Sequence, residues 1–229
     1  MKIIGVTYKE EEQSREAEKQ KESHLRQGNS EMMLKGDSEM MLKGDSALLV
    51  NRKPFFVPDE TKEPVAYPAL ALRICRLGKQ IGLRFADRYF DAITPALDIQ
   101  AADMLREARR HGASWTRAVS QDGSLPIGEW KEAWNDTVTV IVNHDGAQDE
   151  LSHKGEQDEL SPKGEQMTYR VSVEMLREAV CMVSRTMTIR QGDVVYAQLA
   201  SEPLTLHLND CLTARIDGDE QERLFCRIK

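Results

Sequence analysis

The feature that most constrains the fold is the stretch 66–75, which reads AYPALALRIC. It consists almost wholly of short or branched apolar residues, with one arginine near its end. Such a run is typical of a strand that is covered on both faces, because a strand with one face in water alternates apolar and polar residues. We therefore expect a central strand with other elements packed on both of its sides.

Other segments extend this pattern. Residues 2–7 and 137–142 are β-branched runs that predict strands, and four more short strands are predicted at 194–199, 204–208, 211–216 and 224–228. Helix-forming residues at 101–111 precede Gly112, which predicts a helix that ends at this glycine. Ser172 predicts the N-terminal cap of a second helix that runs to about Thr186. The chain therefore reads as an α+β fold with a strand-rich C-terminal part.

A length of 229 residues with a 40% hydrophobic share suits one compact domain over 1–229. Within it, residues 1–45 hold the N-terminal strand, a charged segment at 9–26 and a duplicated loop. Residues 46–229 form the core, with a second duplicated loop at 149–166.

Both duplications are visible in the letters of the sequence. SEMMLKGD stands at 30–37 and again at 38–45, while DELSHKGEQ at 149–157 is followed by DELSPKGEQ. Two copies of so short a unit cannot stack into a solenoid. We interpret them as duplications that lengthen loops or hairpin tips, since the entropy of loop closure grows only slowly with length.

Charge and hydropathy exclude several classes of partner. The formal net charge of -7, with no segregated basic patch, argues against nucleic-acid binding. No apolar run approaches the roughly 20 residues that span a bilayer, and the first residues do not resemble a signal peptide, so we expect a cytoplasmic protein without a membrane partner. The four cysteines are widely spaced and predict reduced, buried thiols.

The order of several segments resembles the fumarylacetoacetate hydrolase family, in particular its small bacterial members. The segments are SALLVNRKPFFVPDE, LRICRLGKQI, FADRYFDAITPALDIQAAD, GASWTRAVSQDGSLPIG and VSRTMTIRQGDVVY. The resemblance implies a mixed β-roll, similar to a β-sandwich, with short flanking helices, and usually a homodimer. It also implies a carboxylate-bound Mg²⁺ or Mn²⁺ and chemistry on acylpyruvate-like 2-oxo acids.

The residues that would hold this metal are largely replaced. Family members carry Glu-x-Glu just before a Leu-Val-x-Arg-Ile strand, and the two glutamate positions fall here on Tyr67 and Ala69. A phenol at neutral pH is a poor ligand for a hard cation, and alanine is none. The third ligand of the family falls on Asp98 and is present.

Further positions depart from the family's motifs. The arginine of the motif around Asp98 falls on Ala102, while its final aspartate is kept as Asp103. The family's active-site lysine falls on Val119. The Gly-Thr-Pro motif that grips a substrate carboxylate is replaced by Gln198-Leu199-Ala200.

Two hypotheses follow from this pattern. The first is a catalytically inactive family member, a pseudoenzyme that keeps the fold and the dimer without a cofactor, and that has a binding, regulatory or structural role. A small 2-oxo acid or another carboxylate remains a candidate ligand. Under this hypothesis Asp98 and Asp103 are hydrogen-bonding groups beside a vacated cleft.

The second hypothesis is a metal-dependent hydrolase or decarboxylase with a rebuilt site. Asp98 would then bind Mg²⁺ or Mn²⁺ together with Glu60, Glu63 or Asp91. The register of a buried strand opposes the shift of position that such a site requires.

Overall fold

The computed structural model describes residues 1–7, 38–146 and 164–229. The charged segment 9–26, the first SEMMLKGD copy and nearly all of the second duplication therefore lie outside the described residues.

The described strands are β1 Ile3–Thr7, β2 Glu39–Lys43, β3 Leu48–Leu49, β4 Pro64–Ile74, β5 Phe90–Ala101, β6 Leu125–Pro126, β7 Thr137–Asp145, β8 Glu165–Ser172, β9 Val194–Gln198, β10 Leu204–Thr205, β11 Cys211–Ile216 and β12 Leu224–Arg227. The described α-helices are α1 Ala102–His111, α2 Thr116–Val119 and α3 Val173–Thr186. Short 3-10 helices cover Asp45–Ala47 and Leu83–Arg88. Mixed sheets with few, short helices confirm the predicted α+β class.

The largest sheet has the strand order β5-β4-β9-β1-β2, and the short β10 pairs with the beginning of β4 beside β9. β4 is antiparallel to β5, β9 and β10, whereas β1 is parallel to β9. β4 is also buried along most of its length. The apolar stretch 66–75 is thus a central, doubly covered strand, as its composition predicts.

A second, antiparallel sheet has the order β12-β11-β7-β8, and β3 pairs with β6 in a two-stranded sheet. One apolar cluster contains residues of both larger sheets, such as Leu70 and Val140, together with Leu176 of α3. This shared core fixes the large sheet against the second sheet and α3 on one face.

The other face of the large sheet is built differently. Ala69, Ala71 and Ala96 lie there with the larger Tyr196 and Leu125 in a separate buried cluster. Short side chains on β4 and β5 leave volume above this face, and larger groups from neighbouring strands fill it. The candidate site lies on this face.

Local sequence signals predicted the end of α1 and the start of α3 correctly. Gly112 adopts a left-handed conformation with φ of 62° and donates its amide hydrogen to carbonyls at the end of α1. The Ser172 hydroxyl accepts a hydrogen bond from the Met175 amide at the start of α3. No described helix is long and apolar enough to cross a membrane.

The interpretation of the repeats as longer loops is wrong for the second octapeptide copy. Its residues Glu39–Lys43 form β2, which pairs with β1 from Ile3 opposite Lys43 to Thr7 opposite Glu39. Met41 and Lys43 are buried and Leu42 between them is exposed, which is the alternation of a strand. Likewise, Glu165 and Gln166 at the end of the other duplication belong to β8.

Candidate functional site

β4 and β5 bring the positions singled out in the sequence onto one face of the sheet. Tyr67 lies directly opposite Asp98, and Ala69 lies opposite both Ala96 of β5 and Gln198 of β9. Directly opposed residues of neighbouring strands share a face and have close side chains. The Asp98 side chain therefore lies on the same face of the sheet as the two positions where the family carries its glutamates, and close to both.

Asp98 forms an ion pair with Lys43, a residue that the sequence analysis did not select. The Lys43 Nζ lies 2.8 Å from the Asp98 Oδ1, and both side chains are 0% exposed. Lys43 belongs to β2 and Asp98 to β5, the two ends of the strand order. The sheet must curl for its terminal strands to meet in this way, and the ion pair lies where they meet.

The remaining contacts of Lys43 are also with oxygen acceptors. Its Nζ donates to the carbonyl of Ile99 at 3.1 Å, to the carbonyl and hydroxyl of Ser124 at 3.4 and 3.1 Å, and to the carbonyl of Val119. An ammonium has three hydrogens to donate and no acceptor, whereas a neutral amine would need a donor for its lone pair. Burial lowers the pKa of Lys43, and the charge and hydrogen bond of Asp98 oppose this by raising it. The ring of acceptors and the carboxylate favour the charged form.

Two amide groups complete the surroundings of Asp98. Its Oδ2 accepts hydrogen bonds from Gln100 Nε2 at 2.8 Å and from Gln198 Nε2 at 2.7 Å. Gln100 lies two residues along β5, so both side chains project from the same face. The carboxylate thus has a cation on one oxygen and two amide donors on the other, which offsets the cost of burying its charge.

Tyr196 of β9 fills the middle of the cluster. It is fully buried, and burial together with the nearby charge of Asp98 raises the pKa of its phenol well above the ordinary value. A Cβ added to Gly5 would lie 2.3 Å from Cζ of this ring. Glycine at this position of β1 therefore allows the ring to lie across the strand.

These residues do not fit a divalent cation. Such an ion requires several oxygen ligands, usually with more than one carboxylate. Asp98 has an ammonium on one oxygen and amide donors on the other, and the neighbouring positions hold Tyr67 and Ala69. Burial, then the charge of Asp98, raises the pKa of Tyr67, so its phenol stays protonated. Across 1–7, 38–146 and 164–229, no group of three or more His, Cys, Asp or Glu side chains could hold a metal ion.

The other predicted positions surround the cluster. Val119 ends α2, and its carbonyl is one of the acceptors of Lys43, so an ammonium lies beside the position of the family's lysine. Ala102 begins α1, and the Asp103 carboxylate next to it accepts a hydrogen bond from the Lys62 amide at 3.2 Å. The expectation of a vacated cleft beside Asp98 is wrong, because the Lys43 side chain fills that space.

The carboxylates of the rebuilt-site hypothesis lie elsewhere. Glu60, Glu63 and Asp91 each form an ion pair with a surface arginine, namely Arg117, Arg106 and Arg73. These pairs are largely solvent-exposed. The structure therefore gives Asp98 none of the three as a fellow ligand.

A surface cavity of about 370 Å³ adjoins the cluster through Met41 and Val119. The remaining lining residues include Met40 and Trp115, and no charged side chain contributes to the lining. Met41 also contacts Gln100 inside the cluster, through a hydrogen bond from Nε2 to Sδ of 3.7 Å. The lining thus combines apolar side chains with the hydroxyls of Ser114 and Thr116, and it contains no carboxylate that could ligate a cation.

Sequence reasoning missed Lys43, Gln100 and Tyr196, and noted Gln198 only as a departure from a motif. A signal for Gln100 was present, since Asp98 and Gln100 are polar residues two apart in an otherwise apolar strand. Lys43 alternates with Met41 in the octapeptide, but this pattern is too short to reveal that β2 lies across from Asp98.

Comparison with known proteins adds a family and a fold. The model described as the C-terminal domain of fumarylacetoacetate hydrolase matches residues 2–197. No curated protein matches this sequence.

Solved structures match along the whole chain. Fumarylpyruvate hydrolase from Pseudomonas aeruginosa, in complex with Mn²⁺ and pyruvate, has 18% identity and a TM-score of 0.71, and the match covers 100% of this chain and 89% of that one. The 5-carboxymethyl-2-hydroxymuconate delta-isomerase from Mycobacterium smegmatis has 18% identity and a TM-score of 0.69, and the match covers 99% of this chain and 78% of that one. The 2-hydroxyhepta-2,4-diene-1,7-dioate isomerase from Mycobacterium marinum has 18% identity and a TM-score of 0.70, and the match covers 99% of this chain and 73% of that one. At this identity the likeness establishes the fold.

Proposed function

This chain belongs to the fumarylacetoacetate hydrolase family, and we propose that it is a member without metal-dependent catalysis, with a binding, regulatory or structural role. The observation that carries this proposal is the state of Asp98. It is the one carboxylate left among the family's metal-ligand positions, and it is fully buried with both oxygens engaged by groups of the chain itself.

The chemistry of the family explains why this matters. A divalent cation on a 2-oxo acid stabilises the negative charge that develops on its enolate oxygen. Asp98 alone cannot supply the several oxygen ligands that such an ion needs. Because its side chain is fully buried, a substrate cannot reach it. Tyr67 and Ala69 do not line the open cavity, and Val119, which does, provides neither a ligand nor a base.

The test is turnover by the purified protein. Acylpyruvates and oxaloacetate are incubated with the protein and Mg²⁺ or Mn²⁺, beside the Pseudomonas aeruginosa fumarylpyruvate hydrolase as a positive control. We expect product to form at the rate of the metal-only blank, with or without EDTA. Cleavage or decarboxylation that depends on this protein and is abolished by EDTA would contradict the proposal and favour the metal-dependent alternative.

The resemblance to the family also supports a homodimer as part of this proposal. Light scattering coupled to gel filtration would then give twice the mass of one chain. A single-chain mass at micromolar concentration would contradict this part and leave the account of the Asp98 cluster unaffected.

A further inference from the structure

We infer that the two identical octapeptides are interchangeable occupants of the β2 position, so that the edge of the large sheet has two registers that differ by eight residues. The first copy, 30–37, and the second copy, 38–45, both read SEMMLKGD. The second copy provides β2 in this structure, and the first copy carries the same side chains in the same order. Exchange of one copy for the other is a conformational change within a single chain, and it does not depend on the proposed loss of catalysis.

The contacts that hold β2 in place come from residues that both copies contain. Glu39 forms an ion pair with Arg109 at 2.9 Å, and Lys43 forms one with Asp98 at 2.8 Å. Met41 between them is buried. The first copy can therefore offer the same set of side chains to the same partners. The matching residues of the first copy are Glu31, Met33 and Lys35.

A shift of eight residues also preserves the alternation of the strand. Side chains alternate between the faces of a sheet with a period of two, so an even shift leaves the same residue types on each face. A shift by one residue would instead bury Leu42 and expose Met41 and Lys43. Within the described residues, β2 pairs with β1 alone, so the exchange breaks a single ladder of backbone hydrogen bonds.

The connections on both sides of β2 can absorb the shift. Residues 8–38 link β1 to β2, and the exposed residues 44–46 follow β2 before the buried Ala47. With the first copy in place, residues 8–30 form the link, and eight residues loop out at the exposed turn before Ala47. The entropy of loop closure disfavours this new loop by about 20-fold, and the shorter link restores less than about twofold. The second copy is therefore the preferred occupant, and the first copy occupies the position in roughly a few per cent of molecules.

Matched lysine substitutions test the exchange. Lys35 and Lys43 hold the same position in the two copies. The variants are Lys35→Met, Lys43→Met and the two together, and the measured quantity is the equilibrium constant of unfolding in urea. Loss of Lys43 leaves the buried Asp98 carboxylate without its cation, so the register that places Lys35 beside Asp98 becomes the more stable one.

The expected result is a strong dependence of one substitution on the other. Lys35→Met alone should change the unfolding constant by less than about twofold, because the first copy is seldom in place. Lys43→Met alone should raise it by about tenfold, which is the cost of the new loop. The double variant should raise it by at least a further tenfold or so, since neither copy then supplies a cation to Asp98.

Two folded single variants beside a double variant that does not fold would also support the exchange. An effect of Lys35→Met that is the same with and without Lys43→Met would overturn it. A Lys43→Met variant that does not fold would overturn it as well, because the first copy would then have failed to replace the second.

A chain with a single copy provides the matched control, since deletion of 30–37 and deletion of 38–45 give the same sequence. Lys43→Met in the chain that lacks 30–37 should raise the unfolding constant as much as the double substitution does in the full chain. A rise no larger than that of Lys43→Met in the full chain would show that the first copy supplies no substitute, and it would overturn the exchange.

A disulfide trap tests the position of the first copy directly. Thr7 lies opposite Glu39 in the ladder of β1 and β2, and Glu31 is the matching residue of the first copy. Directly opposed Cα atoms lie about 4.5 to 5.5 Å apart, which suits a disulfide. The Thr7→Cys/Glu31→Cys protein is oxidised, and the crosslinked peptide is identified by mass spectrometry. In the crosslinked chain, stability should depend on Lys35 and no longer on Lys43, whereas continued dependence on Lys43 would overturn the exchange.

Discussion

Asp98 and Asp219 both face cations, yet the two carboxylates are stabilised in different ways. Asp98 is shielded from water, forms an ion pair with one lysine and accepts hydrogen bonds from two glutamine amides. Asp219 keeps 10% of its side-chain surface exposed and binds two cations, Lys131 and Arg223. A carboxylate that keeps contact with water is stabilised partly by solvent. In the core, all of its stabilisation must come from groups of the protein. Loss of one partner should therefore cost much more at Asp98 than at Asp219.

The largest effect is expected for Asp98→Ala. It leaves the buried Lys43 ammonium without a counter-charge and two amide groups without an acceptor, so it should lower the free energy of unfolding by about 3 to 5 kcal/mol. Urea denaturation at pH 7 measures this loss, and turnover on acylpyruvates should remain at the blank rate. A loss of about 2 kcal/mol or less, no larger than the one expected for Asp219, would remove the contrast between the two carboxylates.

Gly5→Ala is expected to have the next largest effect, because the new Cβ would lie 2.3 Å from the buried ring of Tyr196. Overpacking of this kind costs roughly 1 to 3 kcal/mol. The matched control is Gly146→Ala, where a Cβ meets no atom of the described residues within 4 Å. Equal melting temperatures for the two variants would show that the Tyr196 ring is free to move away from β1.

Asp219→Asn should have a smaller effect that depends on pH. Burial raises the pKa of Asp219, but hydrogen bonds from Arg223 and Lys131 outweigh this and lower it to about 2 from 3.8. Because the folded-state pKa is depressed, the stabilisation is complete above about pH 4 and is lost as pH falls to about 2. A shift of this size corresponds to about 2 kcal/mol at neutral pH. Denaturation curves of wild type and variant should therefore converge at pH 2, and a gap that is constant with pH would contradict this assignment.

The smallest effect is expected for Glu63→Gln, which removes an exposed ion pair with Arg106. Such pairs contribute about 0 to 1 kcal/mol and are screened by salt. Unfolding with and without 1 M NaCl measures this contribution. A large, salt-independent loss would show that Glu63 has a role in the interior, as the rebuilt-site hypothesis requires.

Much of the fold could be predicted because its signals are local. The doubly covered strand around Leu70, the cap at Ser172 and the turn at Gly112 each depend on a few neighbouring residues. Asp98 and its neighbours Tyr67 and Ala69 were grouped through a family motif, and the register of β4 and β5 places them together.

The occupant of the site could not be predicted in the same way. Lys43 reaches Asp98 only because the sheet curls, and the two residues are 55 positions apart in a sequence that contains many lysines. The octapeptide also looks like an inserted loop, because its apolar run of three residues is too short to show the alternation of a strand. Its role is decided by tertiary contacts, namely the pairing of β2 with β1 and the ion pair of Lys43 with Asp98.

The central claim is that Asp98, engaged by groups of the chain itself, holds no metal ion. It is tested most directly by titrating the protein with Mn²⁺ and following the EPR signal of the free ion, beside the Lys43→Met/Asp98→Asn variant. The account predicts coincident titrations, because Asp98 is not available to the ion in the wild type. A single Mn²⁺ bound by the wild type and lost in the variant would contradict it.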